Sequence, residues 1–241
     1  MTRPLFLTEL PEPLPAVGQA VPLRGDEGRH AAVVRRIEPG EVVDLADGAG
    51  RAVTGPVTEV TKQGITIEVA EVRVAAAPAP EVWVAQALAK GDRGELAVEM
   101  LTEVGVAGVY AWQANRSIVK WSGDRAAKAL GKWANTVREA TKQSRRLWIP
   151  QVRGPLTTKQ LVAEFAGFDA VYVLHEDATD PLSAAEPGQR VLLLVGPEGG
   201  IGDDELGLLT AAGARTAVIS DGVLRTSTAG VVAVGQLRRP D

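Results

Sequence analysis

Five consecutive apolar residues, Val191, Leu192, Leu193, Leu194 and Val195, run directly into Gly196-Pro197-Glu198-Gly199-Gly200-Ile201-Gly202, after which the chain resumes with Asp203, Asp204 and Glu205. A strand without polar interruption is one covered on both faces, and acidic residues suit the positive end of a helix dipole. The stretch therefore predicts a buried strand, a glycine turn and a helix over residues 203–212. The pattern recurs downstream, where Ala217-Val218-Ile219 precede Ser220-Asp221-Gly222-Val223-Leu224-Arg225-Thr226-Ser227-Thr228-Ala229-Gly230 and a last helix is expected over residues 228–237. Backbone N–H and C=O groups left free where such turns meet helices can converge on one small ligand. The two turns are read as walls of one pocket.

The rest of the chain divides into two textures. Residues 1–74 carry short alternating runs broken by turn signals, with strands expected over residues 42–46, before Asp47-Gly48, and 65–69, after Lys62-Gln63-Gly64. This reads as a small β-barrel, with a short helix over residues 33–37 ending at Pro39-Gly40. Ala75-Ala76-Ala77-Pro78-Ala79-Pro80 has no amphipathic period and is read as a linker, so the domains are drawn as 1–74 and 75–241. From Glu81 on, strands expected over 82–88, 109–112, 170–174, 191–195 and 217–219 alternate with helical patterns over 93–103, 128–144, 203–212 and 228–237. Such alternation argues for a mostly parallel sheet with helices on both faces.

Composition excludes several classes. The 241 residues, 45% hydrophobic and 23% charged, can bury a proper core. Prolines and glutamates interrupt the start, and no apolar run approaches the roughly 20 residues that cross a bilayer, so a soluble, cytoplasmic protein without a membrane partner is expected. With no cysteine and only His30 and His175 as imidazoles, no metal site is expected. The net charge of −4 hides an uneven distribution: between Arg116 and Arg153 there are ten basic residues against Asp124 and Glu139 alone. A solvated helix face and a nucleic-acid surface both fit that run. Trp112, Trp121, Trp133 and Trp148 in or beside it are read mainly as core.

The turns contain no Gly-x-Gly-x-x-Gly, no Gly-x-x-x-x-Gly-Lys-Ser/Thr and no Gly-x-Ser-x-Gly, and neither offers a lysine for a phosphate. A nucleoside-like ligand held by backbone groups and apolar contacts fits better than a nucleotide. The ordered set Gly196-Pro197-Glu198-Gly199-Gly200, Ile201-Gly202-Asp203-Asp204-Glu205-Leu206 and Leu224-Arg225-Thr226-Ser227-Thr228-Ala229 resembles the C-terminal motifs of the SPOUT methyltransferases. Within them the chain is similar to the ribosomal RNA small-subunit methyltransferase E family. Residues 99–105, Asn115-Arg116-Ser117-Ile118-Val119-Lys120 and Arg138-Glu139-Ala140-Thr141-Lys142-Gln143-Ser144, with Arg146 and Pro150, match its middle motifs. Val33-Val34-Arg35-Arg36, Pro39-Gly40 and Asp47-Gly48 match its N-terminal PUA-like barrel.

The resemblance implies a PUA-like RNA-binding β-barrel followed by a SPOUT α/β domain tied in a trefoil knot, a rare departure from ordinary threading. It implies a homodimer that binds S-adenosylmethionine and methylates N3 of a uridine in 16S ribosomal RNA of the small subunit. Carried onto this chain, the cofactor residues are Leu174, His175, Leu194, Val195, Gly196, Gly199, Gly200, Ser220, Leu224, Arg225, Thr226, Thr228 and Ala229, with Glu176 extending a third wall. The candidate catalytic residues are Arg116 and Arg225, whose guanidiniums could stabilise the uracil anion; a phosphate contact and an ion pair are their structural alternatives. His175 is a base by type and a structural residue by position. Arg3, Arg35, Arg36, Arg116, Lys142, Arg145 and Arg146 are the candidate RNA contacts.

Two departures stand out. Many relatives carry an acidic residue where this chain has Ser227, which is read here as a hydrogen-bonding or capping residue, and the usual lysine of the first helix is Met100. Two alternatives stay open on the sequence. One is a non-catalytic RNA-binding assembly factor, and the other is a SPOUT methyltransferase acting on another RNA or on a ribose hydroxyl.

Overall fold

The computed structural model describes residues 3–186 and 188–238. By its internal contacts the chain forms two units, Met1–Ala77 with Thr141–Ile149, and Pro78–Ala140 with Pro150–Asp241.

The first unit is built from β1 (Leu5–Leu7), β2 (Ala20–Leu23), β3 (Val42–Ala46), β4 (Arg51–Thr61), β5 (Gly64–Glu68) and β6 (Glu71–Val74). The strand order is β1-β3-β4-β5-β2, with β6 also on β4. Only β1 and β3 run parallel. β4 pairs with β3, β5 and β6; its register against β5 shifts between Val57 and Glu59, and just before that shift a Cβ on Gly55 would lie 1.8 Å from the Glu68 carbonyl oxygen. The close approach requires glycine there. Phe6, Leu23, Val43, Leu45, Val53, Val57, Ile65 and Ile67 turn inward from five strands onto one core, the arrangement of a small barrel.

The helix expected at residues 33–37 lies earlier. It is α1 (Gly25–Arg29) running into a π-helical turn, His30–Val34. Val33 and Val34 are 57% and 66% exposed while Ala31 and Ile37 fill the core positions, so the apolar run that suggested the helix is not its buried face. The returning segment Thr141–Ile149 belongs to this unit: the Ile149 N–H donates to the Gly48 carbonyl at 2.9 Å, and Leu147 and Ile149 pack with Leu5, Leu7, Ala46 and Ala52. A boundary drawn once along the sequence cannot contain such a return.

The second unit runs β7 (Glu81–Ala87), α2 (Arg93–Glu103), β8 (Gly108–Gln113), α3 (Gly123–Ser144), β9 (Gln151–Thr157), α4 (Thr158–Glu164), β10 (Ala170–Leu174), β11 (Arg190–Val195), α5 (Asp203–Ala211), β12 (Arg215–Ala217) and α6 (Thr226–Leu237). The last turn of α3, from Thr141, counts with the first unit. Six strands form one parallel sheet in the order β12-β10-β11-β7-β8-β9.

Side chains alternate across the strands. Trp83, Ala85, Leu192 and Leu194 face a core completed by Leu161, Phe165 and Leu209. Val84 and Val195 face the other way, toward Gly230 of α6 and Leu101 of α2. Helices thus cover both faces, as the alternation predicted. β9 and α4 were not anticipated. β12 ends at Ala217, short of the expected 219, because Val218 is taken up by a different pairing, its N–H donating to the Asp180 carbonyl and its carbonyl accepting from Leu182.

Candidate functional site

The connection from β7 through α2 leads to β8 on one side, whereas that from β11 through α5 leads to β12 on the other. β7 and β11 are neighbours, with Gln86 paired to Val195 near their carboxyl ends. Connections that diverge from adjacent parallel strands leave a crevice at those ends, where ligands of open α/β sheets bind. A cavity of about 750 Å³ lies there, walled by the segments that follow β10, β11 and β12.

Most of the expected cofactor residues line it. Leu174 and His175 come from the end of β10, Val195, Gly196, Gly199 and Gly200 from the first glycine turn, and Ser220, Leu224, Arg225, Thr226 and Ala229 from the second. Glu176 lies on the same wall. Two expected residues do not reach the cavity. Leu194 is fully buried in the opposite core because it alternates with Val195, and the Thr228 hydroxyl donates to the Arg225 carbonyl at 3.2 Å, closing the first turn of α6. Sequence reading missed Arg93 at the start of α2, together with Asp177, Asp203, Val218 and Ile219. Arg93 is distant in sequence from both glycine turns, and nothing local marks it.

The first turn is held by its own hydrogen bond, Gly200 N–H to Pro197 O at 2.9 Å. Gly200 has φ +68° with open space where a Cβ would stand, so only glycine gives both the left-handed backbone and an uncovered approach. A Cβ on Gly196 would meet Ile201 Cγ1 at 2.9 Å. The N-cap of α6 is Arg225, not Ser227, which lies within the first turn and is 3% exposed. The capping role considered for Ser227 is thereby excluded.

Arg116 is exposed and lies along the first turn. Its Nη1 donates to the Gly199 carbonyl at 3.2 Å, and a Cβ on Gly202 would meet its Nε at 3.2 Å. The neighbouring residue is anchored from below: Asn115 N–H donates to both carboxylate oxygens of Glu205, at 3.0 and 3.2 Å. Glu205 is 2% exposed and also accepts a short hydrogen bond from Thr158 Oγ1, which accepts from Trp112 Nε1 at 3.0 Å. A buried carboxylate is tolerated when hydrogen bonds satisfy it, and this one fixes the loop that carries Arg116. His175 Nδ1 accepts from Asp177 N–H at 3.2 Å, so the neutral ring carries its proton on Nε2.

A second buried polar link joins the two turns. Gln86 Nε2 donates to Thr226 Oγ1 at 2.9 Å and to Thr226 O at 3.2 Å, and Thr226 Oγ1 donates to Gly196 O at 2.8 Å. Gln86 is fully buried. Gln86 was not singled out in the sequence, where it sits inside an apolar strand.

The expected RNA contacts divide. Arg35, Arg36 and Arg145 are exposed, and Arg3 is half exposed 3.8 Å from Glu71. Lys142 is not open to RNA: its side chain is 10% exposed and its Nζ lies 3.0 Å from Glu27 Oε1. Arg146 is half-buried, and loss of hydration holds its guanidinium below the usual arginine range. Trp112 and Trp133 are core residues; Trp121 is half-buried and meets Trp133 edge-on at 5.1 Å, and Trp148 Nε1 donates to Ala75 O at 3.2 Å. Among the described residues no His, Asp and Glu cluster is placed for a metal, and no helix is long and apolar enough to cross a membrane.

Comparison with known proteins agrees with this geometry. Residues 77–238 match the family model of an RNA methyltransferase domain and residues 23–70 that of an RNA methyltransferase PUA domain. The chain is 46% identical over 229 residues to ribosomal RNA small subunit methyltransferase E of Mycobacterium bovis, covering 92% of this chain and 87% of that one. It is 28% identical to the Bacillus subtilis protein of the same name, covering 89% and 88%. The structure resembles a ribosomal RNA small subunit methyltransferase E from Neisseria gonorrhoeae bound to S-adenosyl methionine, at 28% identity and TM-score 0.85, covering 97% and 95%. A Legionella pneumophila methyltransferase in complex with the same cofactor gives 30% identity and TM-score 0.80, covering 96% and 94%.

Proposed function

Since the chain belongs to the ribosomal RNA small subunit methyltransferase E family, we propose that it transfers a methyl group from S-adenosylmethionine to N3 of one uridine in 16S ribosomal RNA. The observation that carries this reading is the cavity at the strand switch point, walled by both glycine turns and edged by Arg93, Arg116 and Arg225.

The cavity suits the cofactor. Its volume falls in the range of about 300–1,000 Å³ usual for small-ligand sites. Leu174, Val195, Ile219 and Leu224 offer apolar surface for a nucleoside, the uncovered backbone at Gly199 and Gly200 allows close approach, and the carboxylates of Glu176 and Asp177 suit the charged amine of an amino-acid tail. When bound, S-adenosylmethionine supplies an electrophilic methyl group.

The chain's own residues act on the uracil. N3 carries a proton in the neutral base, so negative charge develops on the ring and its O2 and O4 oxygens as that proton leaves. A positioned guanidinium lowers the cost of that charge. The role is supported for Arg116 by its bond to the Gly199 carbonyl and the Glu205 anchor on its neighbour, and for Arg225 by its position at the start of α6. The target base would leave its stack to enter, as for other base-modifying enzymes.

Three further parts of the reading are proposals of the same kind. Threading of α6 as a trefoil knot is supported by the chain's return from edge strand β12 to pack α6 on β7 and β11. A homodimer is supported by exposed Leu96 on α2 and Val232 on α6, two helices that pack together. Action in the cytoplasm, where ribosomal subunits are assembled, follows from the RNA substrate.

The test is methyl transfer from radiolabelled cofactor to small subunits from cells lacking this protein. Label is expected in 3-methyluridine. Arg116→Ala and Arg225→Ala should each lower turnover by about 10²-fold, the cost of losing one charge-stabilising donor. Label in another nucleoside, or none despite cofactor binding, would overturn the substrate assignment and favour another RNA or a binding role.

A further inference from the structure

We propose that Gln86 is a positioning residue for the S-adenosylmethionine site, holding the two glycine turns at a fixed separation through Thr226. The inference rests on the functional reading above and deepens it. Gln86 does not line the cavity, whereas Thr226 and Gly196, the two residues its chain of hydrogen bonds reaches, both do.

The orientation of the amide is set by chemistry. The Thr226 carbonyl can only accept, so the atom facing it must be the amide nitrogen. The single Thr226 hydroxyl proton goes to Gly196 O, leaving Oγ1 to accept from Gln86. Each group therefore has one possible role, and the chain Gln86–Thr226–Gly196 reads in one direction only. The consequence is that Gln86 Oε1 is buried with no hydrogen-bond partner among the described residues. An unpaired buried carbonyl is unfavourable, and an apolar side chain at the same place in β7 would avoid it. The site accepts that penalty for the bonds that the nitrogen makes to Thr226.

Docking of α6 does not need those bonds. Ala233 and Val234 are fully buried, and Gly230 packs close to Leu101 and Val195. The segment before α6 is different. Asp221, Gly222 and Val223 are exposed, and side-chain bonds within it are local: Ser220 Oγ to Asp221 Oδ1 at 3.4 Å and Gly222 N–H to Ser220 Oγ at 3.2 Å. Its far end is fixed where Thr226 meets Gln86 and Gly196. Because Gln86 pairs with Val195 at the strand switch point, one buried amide sets both walls.

The experiment is calorimetric titration of S-adenosylmethionine into full-length wild type, Gln86→Leu, Thr226→Val and Thr226→Ser, at a temperature where circular dichroism shows each more than about nine-tenths folded. Under that condition unfolding alone changes an apparent Kd by a factor of only about 1.1. Gln86→Leu and Thr226→Val should each weaken binding about tenfold or more, as expected for loss of a buried hydrogen bond. Thr226→Ser, which keeps the hydroxyl, should recover most of the affinity lost in Thr226→Val. Wild-type affinity in a folded Gln86→Leu protein, even with a lowered Tm, would overturn the proposal and leave the amide a purely structural bond. Should Gln86→Leu fail to fold, unchanged affinity in Thr226→Val would overturn it equally. Failure of the wild type to bind would instead strike the functional reading itself.

Discussion

At the residue scale the site depends on side chains that are absent as much as on those present. Gly200 shows this best, with φ +68° and empty space at its missing Cβ. An L-residue there costs about 1–2 kcal/mol in the left-handed region, a loss a unit of this size can absorb, and nothing clashes. Gly200→Val should therefore yield folded protein with a modestly lowered Tm whose cofactor affinity falls by about 10²-fold or more, because the new side chain stands in the cavity. Thermal denaturation and titration of the same preparation check the two halves separately. Strong binding by the variant would mean that the ligand lies elsewhere. Arg116 is the opposite case, a side chain set by others: a buried carboxylate 90 residues away in sequence grips the preceding backbone N–H.

At the element scale, β8 carries the clearest pH signature. Tyr110 is 3% exposed. Burial, reinforced by its hydrogen bond to Glu164 and that carboxylate's charge and opposed by Arg153, pushes the phenol up to about 12. The folded state therefore holds the proton where the unfolded chain, near 10, releases it. Stability from this group is complete below about pH 10 and declines as pH rises toward 12. Of the two tyrosines, one should titrate spectroscopically near pH 12, and Tyr110→Phe should abolish that step. A normal phenol titration at residue 110 would contradict the burial described.

The same elements show what a sequence discloses. β11, α5 and α6 were legible because apolar runs and glycine turns are local signals. The edge strand β9 was not, since Gly154-Pro155 interrupts it and most of its residues are partly exposed. α4 is seven residues long, too short for a helical period to register. Its Thr157–Gln160 capping box was the available sign. Gln86 and Glu205 were illegible as partners of the site because burial and pairing across long separations are properties of the fold alone.

At the scale of the whole molecule, a net charge of −4 has to be reconciled with a polyanionic substrate. Distribution resolves it within the first unit. Arg35 and Arg36 stand exposed on the turn after the π-helical segment, beside exposed Val33 and Val34, whereas Lys142 is neutralised by Glu27. Arg36 has φ 52°, so its neutral replacement should be Asn, which tolerates that conformation, rather than Ala. In Arg35→Ala/Arg36→Asn, affinity for small subunits should fall, and the slope of log K against log salt should flatten by about 1.4–1.8, at about 0.7–0.9 per lost phosphate contact. Cofactor affinity should stay at the wild-type value. Lys142→Gln should leave the salt slope unchanged and lower Tm instead, since it removes a partner from a mostly buried ion pair. An unchanged slope in the double variant, or a flattened one in Lys142→Gln, would reverse the assignment of which charges meet RNA. The contrast is decisive because both variants remove positive charge from one unit and differ mainly in whether that charge is already paired inside the protein.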